Sequence, residues 1–481
     1  MKRIGIALLA AILCLSFVAC GQKPAEETPE SGTTTTTSSS ASSTDALDPT
    51  GSSESTTAGE VSSDATTDSQ SSSGGVTSAP VVHATLPNIN IKGKTVELLT
   101  HDSPESEESQ AMIARFKEAY GATLKMTTVE WTDMQTMLNS RVMAENPPDV
   151  VVVRNADMYT YQLSGILKDI SGLIDYNTPL WKDIKARNDD LKLTDKQYVA
   201  VIQQWVGWYV WYNKSIMLDN GIMDTPDKLY EQGKWTVSAM RELAKELTIR
   251  DGEQITQYGL GSNYDTLANC LMAARGTGTV KRNGSTFSSN INDSALADAY
   301  NLLYDLYAAD KCMAPIDQHN NMFAKGRCAM LVDGSWLPDQ RSIKALKTKG
   351  SIGLVPFPKW DGEPERQMGE YTCTGIPRNV KSTDPGMAFI HFQRYMAIDQ
   401  DQLNKNREQV KSTRAMTDKE LDYMNQATNY AVLGSGLGIP NSPQYSMSMM
   451  VAYGNAWSLA VEKYGPDLQK CIDELNAMAK G

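Results

Sequence analysis

Histidine is scarce. Four occur in 481 residues, His83, His101, His319 and His391, and their scatter offers no histidine-built metal centre. Also missing are His-Glu-x-x-His, the Gly-x-Ser-x-Gly nucleophile turn and a glycine-rich phosphate-cradling loop, so three large enzyme classes leave no signature. Basic residues are in deficit, 45 Lys and Arg against 57 Asp and Glu, and a formal charge of −12 argues against nucleic acid as a partner. Cysteine follows no pairing pattern: after Cys14 and Cys20, five remain at Cys270, Cys312, Cys328, Cys373 and Cys471. An odd number, wide spacing and a chain long enough to build its own cores favour buried free thiols; one bridge with three free thiols is the alternative. Neither cofactor nor metal is expected.

Long apolar runs are rare as well. The stretch Ile4 to Val18, behind Lys2 and Arg3, has signal-peptide length and falls short of the about twenty residues a spanning helix needs. Residues 1–19 are therefore expected to direct export. Leu15-Ser16-Phe17-Val18-Ala19-Cys20 resembles the lipobox of bacterial lipoproteins, with Phe17 where that motif usually carries Leu. The resemblance implies that Cys20 is lipidated and holds the chain to the extracellular face of the cytoplasmic membrane. Each buried acyl CH₂ contributes about 0.8 kcal/mol, so several chains on one cysteine make a durable anchor.

Beyond Cys20 the composition changes character. Roughly half of Gly21 to Thr85 is Ser or Thr and none of it is aromatic, which leaves too little apolar area to offset the entropy of ordering. Residues 20–85 are expected to form a disordered tether with a span of order 45 Å; a recognition tail is the alternative. Removing the charges of the signal and the tether leaves the folded part at roughly −6.

The remainder alternates strand and helix. Thr95 to Thr100 is β-prone, and Ser109 to Tyr120 sets Met112, Ile113, Phe116 and Tyr120 on one helical face. Thr123 to Val129 is a second strand, Trp131 to Ala144 a second helix broken by Pro147-Pro148, and Val150 to Val153 an uninterrupted β-branched run of the kind found in parallel strands covered on both faces. The class is α/β, and the length points to two domains.

Several motifs recur in one order. Asn146-Pro147-Pro148-Asp149-Val150-Val151 is followed by Leu163 to Ile170, Val210-Trp211-Tyr212-Asn213-Lys214, Asn220-Gly221-Ile222, and Trp235-Thr236. Then come Phe323 to Met330 with Gly334-Ser335-Trp336, and Ile352 to Pro358. Taken together, residues 95 to 400 resemble the extracellular solute-binding proteins that include the maltose-binding proteins; Trp235 and Thr236 stand in reversed order relative to that family. The resemblance implies a two-lobed periplasmic-binding-protein fold with a hinge and an interlobe cleft. It places one lobe at 90–204 and 372–400 and the other at 205–371 and 401–481. It further implies a monomer that captures a carbohydrate and passes it to the permease subunits of an ABC importer.

Ligands of open α/β sheets collect beyond the carboxyl ends of the strands. The loops there hold Asp102, Trp131, Arg154 and Asp157, then Asn263 and Tyr264, while Gln204, Trp205, Glu370 and Tyr371 fall at the inferred crossings. Trp336, beside Asp333, occupies the position that the family motif uses at the cleft wall. Aromatic faces can cover the C–H faces of a sugar ring while carboxylates and amides bind its hydroxyls. Bland readings stand beside these. Trp205 and Trp131 can be packing residues, Arg154 and Asp157 can simply pair with each other, and Glu370 and Tyr371 depend on where the hinge falls. Trp208 and Trp211 read as strand packing within Trp205 to Tyr212, and Trp181, Trp235 and Trp457 as core. A secreted carbohydrate-active enzyme and a sensor-only binding protein are the rival functions, and no catalytic residue is assigned.

Overall fold

The computed structural model describes residues 84–433, 439 and 441–480, so the signal peptide, Cys20 and the tether up to residue 83 lie outside the described residues. Thirteen strands occur among them. The first eight are β1 (Thr95–Thr100), β2 (Thr123–Thr128), β3 (Val150–Val153), β4 (Val199–Val206), β5 (Trp208–Asn213), β6 (Ile249–Asp251), β7 (Gln254–Gly261) and β8 (Val280–Asn283). The rest are β9 (Thr286–Ser289), β10 (Cys328–Gly334), β11 (Ile352–Pro356), β12 (Gln367–Gly375) and β13 (Ala431–Leu433). They form two main sheets and one hairpin.

The first sheet runs β2-β1-β3-β12, with β13 and β4 also on β12. Strands β1, β2 and β3 are parallel, in register Thr95↔Thr123 and Leu98↔Val150, whereas β12 opposes both β3 and β4. The valine run of β3 needs cover on both faces, and it receives it: Val150, Val151 and Val153 are buried in one cluster with Leu98, Leu138 and Ile202. Phe116, on the helix Glu107–Tyr120, packs edge-on to Phe389 and Phe392 from the helix Asp384–Ile398. Gly121 ends the first of these helices in the left-handed region, at φ 63°, where glycine carries no Cβ penalty.

The second sheet runs β11-β5-β10-β7-β6. Its strands sort their side chains by the two-residue period. Val210 and Tyr212 of β5 and Val355 of β11 join one core; Tyr209 and Trp211 of β5 with Ile352 and Leu354 of β11 join another on the opposite face. Two pieces of the recurring motifs are helix starts. Asn213 accepts the amide hydrogens of Ser215 and Ile216, and Thr236 accepts that of Ala239, each satisfying a backbone donor that an unclosed first turn leaves free.

Three sequence expectations are corrected here. The run Trp205 to Tyr212 is two strands, because Gly207 interrupts it: β4 stays in the first sheet and β5 enters the second. The segment Trp131 to Ala144 opens as a 3-10 turn, Trp131–Asp133, and becomes α-helical only at Met134. The residue before it, Glu130, makes no side-chain cap. Cys471 is only half-buried, although Cys270, Cys312, Cys328 and Cys373 are buried, and all five are free thiols.

Trp181, Trp235 and Trp457 are packing residues. The first gives its indole N–H to His391 Nδ1 at 2.9 Å, the second to the Pro356 carbonyl at 2.9 Å, and the third stacks on Tyr300 with centroids 3.9 Å apart. The β8–β9 hairpin is less expected. Val280 and Phe287 belong to the first sheet's core, where Phe287 meets Tyr159 at 4.9 Å.

Candidate functional site

Gly207 is the single residue between a strand of one sheet and a strand of the other, and the aromatic site is built around it. Its carbonyl accepts the Ser335 amide at 2.8 Å, so the Gly334-Ser335-Trp336 turn is fastened to the crossing. A methyl group on Gly207 would stand 2.9 Å from Trp205 Cζ3 and 3.5 Å from Trp336 Cζ3; one on Gly334 would lie 2.2 Å from Trp336 Cε2. Only glycine lets these rings lie so close to the backbone.

Three tryptophans converge there. Trp336 meets Trp208 edge to face with centroids 5.0 Å apart and Trp205 at 6.3 Å. Trp336 remains 37% exposed, which leaves ring surface open to a ligand. Trp208 donates its indole N–H to Glu370 Oε1 at 3.3 Å, and burial raises the Glu370 carboxyl above its usual range, with that hydrogen bond opposing the shift. Trp208 is part-buried against a core of the second sheet, as its strand-packing reading expects, and its pairing with Gly334 at the end of β10 also sets it beside the Gly-x-Trp turn.

The first sheet contributes a second group at the carboxyl ends of β1, β2 and β3. Trp131 is 45% exposed, its ring flanked by His101 at 4.3 Å and by the Arg154 guanidinium at 5.4 Å from the centroid. Arg154 is bonded to the Asp157 carboxylate and to the Trp131 carbonyl, so the Arg154–Asp157 pairing raised by the sequence is present and braces the Trp131 loop. Asn155, between them, accepts the Tyr371 amide at 3.1 Å. This bond joins the two groups, because Tyr371 follows Glu370 on β12. Asp102 is exposed and accepts the Thr100 hydroxyl at 3.0 Å.

Other candidates are engaged with the protein. Gln204 gives its amide to the Ala431 carbonyl at 2.8 Å, and the Tyr371 ring is buried in the first sheet's core. Asp333 accepts the Gly334 amide at 2.6 Å, and burial raises its carboxyl. Asn263 caps the helix Tyr264–Arg275 by accepting the Asp265 amide at 2.9 Å.

Tyr264 sits in a second aromatic cluster at the end of β7, which lies parallel to β10. Its ring is 5.0 Å from Tyr445 and 6.5 Å from Tyr453. Those two are 51% and 71% exposed. Neither is singled out from the sequence, where they flank Met447-Ser448-Met449-Met450, a cluster that reads as core or interlobe packing. A cavity of about 670 Å³ lies away from both clusters, between residues 287–292 and the helix Trp457–Met478. Open flat rings beside hydrogen-bonding groups suit a polar molecule with apolar faces. Among the described residues, no group of His, Cys, Asp and Glu could hold a metal ion.

Two sheets joined at a one-residue crossing, with the candidate side chains at the strand ends beside it, make a two-lobed α/β fold. The chain belongs to the bacterial extracellular solute-binding proteins, whose family model matches residues 102–393. Among curated proteins, the diacetylchitobiose binding protein DasA of Streptomyces coelicolor is 29% identical over 293 residues, 59% of this chain and 61% of that protein. The chain thus spans about 61% of the length of the curated relative it matches.

Solved structures share the fold at low identity. An ABC substrate-binding protein of Listeria monocytogenes in complex with cycloalternan superposes with a TM-score of 0.60 at 16% identity, over 80% of this chain and 98% of that one. The GacH receptor of Streptomyces glaucescens, studied unliganded and with acarbose, superposes at 0.60 and 19% identity, over 79% of this chain and 98% of that one. No helix among the described residues is long and apolar enough to cross a membrane.

Proposed function

We propose that this chain is the extracytoplasmic binding component of an ABC importer, that it captures a carbohydrate between its two lobes, and that Cys20 anchors it to the membrane by lipid. The observation that carries the reading is the Trp205–Trp208–Trp336 cluster at the crossing, with Trp336 part-exposed and Glu370 hydrogen-bonded within it. The Trp336 face would take the C–H face of a sugar ring. Trp131, Asp102 and the Tyr264–Tyr445–Tyr453 cluster would take further parts, which favours an oligosaccharide. DasA, by its name, binds the disaccharide diacetylchitobiose, and its relatedness supports the same ligand class here.

The mechanism is a population shift. A ligand that touches both lobes binds the closed form more tightly than the open one and lowers its free energy by that difference. Closed protein would then be recognised by the permease, or by a receptor if the chain acts only as a sensor. A thermal-shift screen over mono- and oligosaccharides, chito-oligosaccharides included, tests the reading. A ligand at 100 times its Kd stabilises by about 2.7 kcal/mol. Stabilisation by one sugar class without release of product is expected; hydrolysis of that sugar by purified protein would place the chain among the carbohydrate-active enzymes instead.

A further inference from the structure

Tyr264 and Tyr445 come from helices far apart in sequence, yet each is the immediate neighbour of a residue in one buried polar network. Asp265 follows Tyr264, and Gln444 precedes Tyr445. Ser448, one turn beyond Gln444 and wholly buried, holds its hydroxyl between the Gln444 carbonyl at 3.0 Å, Asp265 Oδ1 at 3.3 Å and the Tyr300 hydroxyl at 3.3 Å. Asn269 gives its amide to Asp265 Oδ2 at 3.2 Å and accepts that of Gln444 at 2.8 Å. Thr279, also fully buried, closes the far side by donating to Gln444 Oε1 at 2.9 Å. Buried polar groups are costly unless every one is bonded, so a network of this kind has few alternative arrangements.

The consequence is geometric. The bonds from Gln444 and Ser448 to Asn269 and Asp265 tie helix Gln444–Ala452 to helix Tyr264–Arg275 and fix how one rotates against the other. That rotation decides where Tyr445 stands relative to Tyr264. We propose that the Asp265–Ser448–Asn269–Gln444 network is a positioning device that sets the spacing of the Tyr264 and Tyr445 rings and thereby the affinity for the ligand. None of its four members needs to touch the ligand. The inference rests on the carbohydrate reading for what the rings bind, but the ring geometry can be tested without any ligand.

The test uses the full-length protein labelled with 3-fluorotyrosine. Ser448→Ala removes the hydroxyl that stands between Asp265 and the Gln444 carbonyl, and is small enough to fold. The expected result is a shift or splitting of the Tyr445 fluorine resonance in unliganded protein. For a sugar that the wild-type protein binds, affinity should fall roughly tenfold to 150-fold, as for one buried hydrogen bond to a charged group. In a Tyr445→Ala background Ser448→Ala should then have almost no further effect, because its influence passes through that ring. An unchanged Tyr445 resonance, or an equal loss with and without Tyr445, would overturn the proposal. Asp265→Asn, which keeps an acceptor for Ser448, should shift the resonance less than Ser448→Ala, and a larger shift would also overturn it. If wild-type protein binds no sugar at all, the carbohydrate reading fails, and the fluorine spectrum still decides whether the network holds the rings.

Discussion

Trp336→Ala separates the wall from the scaffold. The ring makes two edge-to-face contacts, at 5.0 Å to Trp208 and 6.3 Å to Trp205, and such pairs contribute about 0.5 to 1.5 kcal/mol each when well formed. Because the ring is 37% exposed, its loss opens a surface notch rather than a closed cavity, and the stability cost should be nearer about 1 kcal/mol than the several of a buried tryptophan. Ligand binding should suffer more. A stacking anchor is worth roughly 1 to 3 kcal/mol, so Kd should rise between about fivefold and 150-fold. Titration calorimetry gives the affinity, and denaturant unfolding of the same sample gives the stability. Trp336→Phe should recover most of the affinity, since a flat face is restored. An unchanged Kd for Trp336→Ala would show that the ring packs against protein alone, and the reasoning that places ligand at the crossing would then be wrong.

Three further outcomes are expected from the same geometry. Gly207→Ala should displace the Trp205 ring, 2.9 Å from the new methyl, and weaken binding while altering tryptophan fluorescence; an unperturbed spectrum would deny the close approach. Lys347 and Glu420 form an ion pair whose side chains are 2% and 7% exposed, with Nζ 2.7 and 2.5 Å from the two carboxylate oxygens. Lys347→Met should therefore cost about 3 to 5 kcal/mol, and adding Glu420→Gln should return much of it. Equal stability of single and double variants in chemical denaturation would contradict this. His391 is held neutral by burial, its pKa lowered from 6.5 to about 4. The unfolded chain takes up that proton first, so stability should fall by about 3 kcal/mol as pH drops from about 6.5 to about 4. The loss should be visibly smaller in His391→Gln, and parallel pH profiles for the two proteins would refute the assignment.

Much of the fold was legible because local rules and tertiary burial agree. The valine run of β3, the Phe116 face and the turn at Gly121 each announce their element through period, branching or glycine. The motif residues were legible for a second reason: Asn213 and Thr236 are helix caps, and Gly334 lies under a ring, so few residue types can stand there. Gly207 was not. A lone glycine inside an aromatic, β-prone run reads as one continuous strand until the partner strands are known, and these belong to different sheets. The Trp131 helix start failed because an uncapped turn can begin as 3-10 geometry with no change in periodicity. Tyr445 and Tyr453 were hidden by their neighbours, since the methionines at 447, 449 and 450 suggest packing and say nothing of which flanking side chains stay exposed. The contact of the β8–β9 hairpin with Tyr159 joins residues over a hundred apart in sequence, and no local pattern records it.

A carbohydrate held between the two lobes, as proposed, is released from the protein unchanged. Titration calorimetry of the purified domain against an oligosaccharide series, with the recovered ligand checked by mass, tests this most directly. Saturable one-to-one binding of at least one oligosaccharide, recovered intact, is expected, and that binding should weaken in Trp336→Ala. Heat that never saturates for any sugar, or recovery of shortened ligand, would contradict it.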